Sequence, residues 1–168
     1  MKSLLKQYRN YLALVLLLVP AVAFGGLLLA ADWQRLGVSA SFPFLPWQFW
    51  LMLLAGSLAT YGGVADWRYH RNPLHLKLAA KERDAEAFAL GVGGVPMFGL
   101  MWAAMTSAHP TAFLLPIVVV LLYTVVAICY DEFVFHRKRC GPEETRYHRL
   151  LVFGNGVAWL AWFHFIFC

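Results

Sequence analysis

Two hexapeptides in this sequence each set a carboxylate and an imidazole four residues apart. Asp66-Trp67-Arg68-Tyr69-His70-Arg71 and Glu132-Phe133-Val134-Phe135-His136-Arg137 share one order: acid, aromatic, any residue, aromatic, His, Arg. Residues four apart on a helix lie on one face, so each hexapeptide can aim an oxygen and a nitrogen ligand in the same direction. Beyond each hexapeptide stands a second pair with the same spacing, Glu82 with Glu86 and Glu144 with His148. Together these are five carboxylates and three imidazoles. Such oxygen and nitrogen donors suit hard or borderline divalent metals, iron and manganese above all. Five negative charges also balance most of two such ions. Without metal the same cluster is strongly repulsive, unless the neighbouring bases relieve it.

The positions of these residues follow from the elements around them. The chain has 168 residues, of which 61% are hydrophobic and 14% charged. A soluble domain is about 45–50% apolar and about 25% charged. The composition therefore excludes a soluble globular domain, a disordered tail or a fibrous repeat, and predicts a polytopic membrane protein. Five apolar stretches are long enough to span, near 11–31, 47–65, 85–108, 111–130 and 150–167. The first reads as a retained span, because its apolar run is too long for a signal core. Asn72-Pro73 and Gly141-Pro142 both stop one helix and can start the next. Glu143 and Glu144 suit the first turn of the helix that follows, where they meet the positive end of its dipole.

Basic residues predict the orientation. Of the 14 lysines and arginines, Arg35 alone falls on the side of the loops after spans one and three. The positive-inside rule then puts the N-terminus in the cytoplasm and Cys168 outside, in an inner membrane crossed five times. The positive net charge is a topology signal, and nucleic acid is not an expected partner. Eight of the nine acids fall at the cytoplasmic ends of spans two to five. Acids contribute little to orientation, and carboxylates near membrane depth are costly unless paired or used. The expected architecture is all-α: five transmembrane helices in one membrane domain over 1–168, the last four forming an antiparallel bundle. Residues 1–46 hold the first span and outer loop, 47–108 the first copy of a duplicated two-helix unit, and 109–168 the second. Each unit has two helices, so both copies point the same way and their motifs meet at one end.

The ligand pattern resembles the di-metal carboxylate site of ferritin-like four-helix bundles, in which two helices give a Glu each and two give a Glu-x-x-His pair. The pairs here are spaced acid-x-x-x-His or Glu-x-x-x-Glu, so the likeness is one of pattern over about residues 66–153. The chain also looks like small bacterial polytopic membrane proteins with the same duplicated layout. The resemblance implies two irons or manganeses, with zinc a lesser alternative, held by Asp66, His70, Glu82, Glu86, Glu132, His136, Glu144 and His148. A di-iron centre at the membrane boundary implies an oxidoreductase, such as a hydroxylase, desaturase or oxidase. Its substrate would be a membrane lipid or another lipid-soluble molecule, and its electrons would come from a cytoplasmic donor. Arg71 and Arg137 could hold ligand carboxylates, or simply anchor the cytoplasmic side. Tyr69 and Tyr147, with Trp67, Phe133 and Phe135, could wall a substrate slot or form an interfacial aromatic belt.

Other readings stay open. The acids could pair with local bases on a charged docking face of a non-enzymatic membrane subunit or lipid-binding protein. A zinc hydrolase could use His70, His136 and His148 with a Glu as base. A metal carrier would use the same ligands with an exchangeable ion. Asp84, Asp131 and Glu143 adjoin the motif acids but fall off the shared face, although Asp131 could replace Glu132 at a distorted helix end, and His75 sits in a turn. His109 and His164 lie toward the outer side and read as interfacial. Cys129, Cys140 and Cys168 have neither the number nor the spacing of a disulfide framework or thiolate site. The glycines around 91–94 and at 154 and 156 follow no strand, so they read as helix contacts rather than a phosphate loop.

Overall fold

Apolar stretches that cannot hydrogen-bond to water must satisfy their backbone internally, and all the regular structure here is helical among the described residues. The computed structural model of the chain describes residues 14–16, 18–26, 45–70, 88–136 and 140–168, with backbone alone at 135 and 136. A short apolar helix, α1, Leu14–Gly26, is described at 14–16 and 18–26. Helix α2 runs Trp47–Tyr69. Helix α3 begins as a π-helical stretch, Ala89–Gly94, and continues as an α-helix over Val95–Thr106. A 3-10 turn, Pro110–Phe113, leads into α4, Leu114–Asp131, which ends in a second π-helical stretch, Glu132–His136. Helix α5 runs Pro142–Phe167.

Three of these helical stretches are long and apolar enough to cross a membrane: Ala89–Thr106, Pro110–Val134 and Pro142–Phe167. Of the five expected spans, α2 has the length, with 23 residues. It carries Gln48, Ser57, Thr60, Asp66 and Arg68, and its apolarity falls short of the other three. The described part of α1 is shorter than a span.

Local chemistry sets the boundaries. Pro46 is extended and its carbonyl accepts the Phe49 amide at the start of α2. Ser107 turns to extended backbone and ends α3, and its Oγ accepts the His109 amide before Pro110 opens the next turn. Pro96 has no N–H to give the Val92 carbonyl, and the backbone just before it widens into the π-helical stretch.

Helices α2 and α5 make the most extensive pairing, and they are antiparallel. Phe49 packs against Phe165 at one end, and Tyr69 approaches Tyr147 at the other. Helices α3 and α4 form a second antiparallel pair across the turn at Pro110, with Phe88 beside Tyr123. Aromatic residues knit the pairs together. Phe24 of α1, Phe98 of α3 and Trp162 of α5 meet edge-on or tilted, and Trp162 is fully buried. Trp102 of α3 meets Trp162 as well. This core fixes the helices at mid-depth and toward the Trp47 end, which leaves the far end to the ionisable residues.

Candidate functional site

The site depends on how closely α2 and α5 approach. At Gly62 a Cβ would stand 2.7 Å from both the Leu151 amide nitrogen and the Tyr147 carbonyl oxygen. At Gly154 a Cβ would stand 2.8 Å from the Ala55 carbonyl oxygen. Only a residue without a side chain permits this backbone contact. One turn past Gly62 comes Asp66, and one more brings His70 at the end of the helix, where the His70 amide donates to the Asp66 carbonyl at 3.1 Å. On the other side, Gly141 and Pro142 start α5 with Glu143 and Glu144 in the first turn. Thr145 closes that turn, its amide and its hydroxyl both donating to the Gly141 carbonyl.

The C-terminal end of α2 thus meets the N-terminal end of α5. His70 Nε2 lies 3.3 Å from Glu144 Oε1 and 3.7 Å from Asp66 Oδ1. Asp66 and Glu144 are buried, at 4% and 6% exposure. One turn along α5, His148 Nε2 lies 3.6 Å from Glu132 Oε2 at the end of α4. Glu144 and His148 therefore serve different neighbours, α2 and α4, from one face of α5. Charged groups this enclosed need partners, and an imidazole N–H can donate to a carboxylate oxygen. Arg68, Arg146 and Arg149, from the same segments, are exposed.

Asp131, expected off the shared face unless the helix end is distorted, is buried at 5% exposure, while its neighbour Glu132 is half-buried. The helix widens at Glu132, and a wider turn rotates less per residue. Asp131 is itself the last residue of the α-helical part, and the widening begins at the next residue.

Five of the eight expected ligands are described with their side chains, and the contacts above engage all five: Asp66, His70, Glu132, Glu144 and His148. His136 ends the π-helical stretch, with its backbone alone described. Glu82, Glu86, Arg71 and Arg137 lie outside the described residues, as do His75 and Asp84. Tyr69 packs edge-on to His70, with ring centroids 5.9 Å apart, and nears Tyr147 at 6.5 Å, so both tyrosines flank the cluster. Phe133 is exposed, as a residue of an aromatic belt would be. His164, at the opposite end, packs on Trp47, and its Nδ1 lies 3.1 Å from Gln48 Nε2.

The donor types fit a divalent metal, since carboxylate and imidazole are the ligands iron and manganese take. Their arrangement is one of direct His–carboxylate contact. Among the described residues no group of three or more His, Cys, Asp or Glu side chains has the arrangement to hold a metal ion. Comparison of the chain with known protein families, curated proteins and solved structures finds no match.

Proposed function

We propose that this chain is an inner-membrane protein that holds two divalent metals, iron first and manganese second, at the cytoplasmic end of its helices. In this reading it is an oxidoreductase acting on a lipid-soluble substrate. The proposed ligands are Asp66, His70, Glu82, Glu86, Glu132, His136, Glu144 and His148, contributed by two copies of a two-helix unit within five spans. The N-terminus would be cytoplasmic and Cys168 outside. The supporting observation is the 3.3 Å approach of His70 to Glu144, because it joins an acid–His pair of one half to an acid–His pair of the other. Enclosed ionisable side chains at membrane depth mark functional sites by default.

The residues of the chain have definite tasks in this reading. Asp66 and Glu144, both buried, would supply oxygens that no bulk water competes for. His70 and His148 would turn their Nε2 atoms from carboxylate to metal. The α2–α5 contact at Gly62 would hold the two ligand-bearing helix ends in register. Tyr69 and Tyr147 would wall the side of the cluster facing them. A bound iron pair would supply O₂-dependent oxidation.

A second reading is favoured by the direct His–carboxylate contacts themselves. In it they are a metal-free latch between helix ends in a non-enzymatic membrane subunit. Elemental analysis of the detergent-purified full chain, expressed with iron and manganese supplied, separates the two. About two irons or manganeses per chain are expected. A folded, monodisperse and metal-free protein would overturn the metal reading in favour of the latch, and one zinc per chain would replace redox chemistry with hydrolysis.

A further inference from the structure

A groove of about 850 Å³ runs along the outer side of the α2–α5 pair. Its floor is made where the helices touch through small residues, Ala55 and Gly154. Its walls are Leu54 and Leu58 of α2 and Phe153 and Val157 of α5, all exposed. At the end nearest the start of α5 the lining changes from apolar to basic, with Arg146 and Arg149. Both arginines are exposed, and among the described residues no acid lines the groove. The Thr145 hydroxyl, also at this end, already donates to the Gly141 carbonyl, so the two guanidiniums are the donors left for an occupant.

The dimensions set the class of occupant. From Arg146 to Val157, α5 rises about 16 Å at about 1.5 Å per residue. One leaflet takes up half of a hydrocarbon core about 30 Å thick. A cationic end and an apolar trough one leaflet long match an anionic amphiphile with its head at the boundary and its chain along the helices. Guanidinium recognises phosphate through paired N–H donors, which a neutral head cannot use and a zwitterionic head partly cancels.

We propose that this groove binds one anionic phospholipid, its phosphate at Arg146 and Arg149 and an acyl chain along Leu54, Leu58, Phe153 and Val157. The assignment does not depend on a metal, because the groove lies outside the carboxylate–histidine cluster. It gives Arg146 and Arg149 a binding task besides orienting the chain.

The test uses the delipidated full chain in detergent with chelator present throughout, so that its result is independent of metal content. Phosphatidylglycerol and phosphatidylcholine with identical acyl chains are offered in equal amounts, and native mass spectrometry counts what each chain retains. One retained phosphatidylglycerol is expected, favoured about tenfold or more. The Arg146→Gln/Arg149→Gln variant is expected to lose that preference with its helix content unchanged. Val157→Trp, which fills the trough, is expected to retain neither lipid. Equal retention of the two lipids by the unaltered chain overturns the proposal, as does an undiminished preference in the double variant. Displacement of the lipid by millimolar inorganic phosphate would make the site one for free phosphate and overturns it too. A lipid-free dimer would show that a second copy covers the groove, with the same consequence.

Discussion

His70 Nε2 stands 3.3 Å from Glu144 Oε1, which ties the residue that caps the end of α2 to the first turn of α5. Neither side chain belongs to the other's helix, so the contact exists only when the two helices are packed. Glu144 is nearly sheltered from solvent, and cutting His70 short leaves its charge poorly compensated. In metal-free protein, His70→Gln and Glu144→Gln should each lower the thermal midpoint in detergent, and the double variant should fall by less than the sum. A coupling of about 0.5–3 kcal/mol is expected from a double-mutant cycle. Strict additivity would mean that the two side chains do not sense each other.

The proposed metal site makes a sharper demand. Glu144→Ala and His136→Ala should each abolish bound metal in protein purified with iron present. His109→Ala should leave the content unchanged, because His109 lies in the turn before α4 at the far end of the helices. Metal content, measured per folded chain, is the readout. Equal content in all three variants would remove these residues from the ligand set.

Glycine substitutions should divide by position. Alanine in place of glycine within a helix gains about 1 kcal/mol of intrinsic propensity. At Gly62 and Gly154 that gain is set against backbone atoms 2.7 and 2.8 Å from the new Cβ, which cannot rotate aside. Overpacking of this kind costs about 1–3 kcal/mol. Gly62→Ala and Gly154→Ala should therefore lower the thermal midpoint. Gly99→Ala and Gly156→Ala, where nothing lies within 4 Å of a Cβ, should hold or raise it. If all four variants behaved alike, the close approach of α2 to α5 would be wrong.

The ends of α2, α4 and α5 were legible in the sequence for a simple reason. Asp66 with His70, and Glu144 with His148, are spaced by one helical turn, and Gly141 with Pro142 marks where α5 must start. The helical class was legible from apolar composition alone. That the motif-bearing ends meet is an expectation from two helices per unit; which residue faces which is not legible, because backbone fit between helices decides it. Gly154 reads in the sequence as a helix contact and Gly62 carries no distinguishing mark there; the backbone atoms that face both follow only from the packing. The choice between Asp131 and Glu132 stays open in the sequence, because the π-helical stretch that follows Asp131 leaves little mark in composition. Of the expected spans, α2 has the length but not the apolarity of the other three, because Gln48, Thr60 and Asp66 interrupt it. Two of these, Gln48 and Asp66, are turned inward and buried.

Three native cysteines test the proposed topology without any engineered label. Cys168 is exposed at the end of α5, and Cys140 is half-buried just before its start. Helix α5 is 26 residues long, about 39 Å at about 1.5 Å per residue. That length exceeds a hydrocarbon core of about 30 Å, so the two thiols should emerge on opposite sides. Cys129 is exposed on α4 within the apolar stretch Pro110–Val134, and in the proposed topology lipid would cover it. If the basic segments are cytoplasmic, a membrane-impermeant maleimide applied to intact spheroplasts should modify Cys168 and spare Cys140. Permeabilisation should then expose Cys140, while Cys129 stays unmodified until the protein is denatured. The variant Cys168→Ser should lose the first signal and keep the second. Labelling of Cys140 before Cys168 would invert the orientation and put the carboxylate–histidine cluster on the outer side, away from any cytoplasmic reductant.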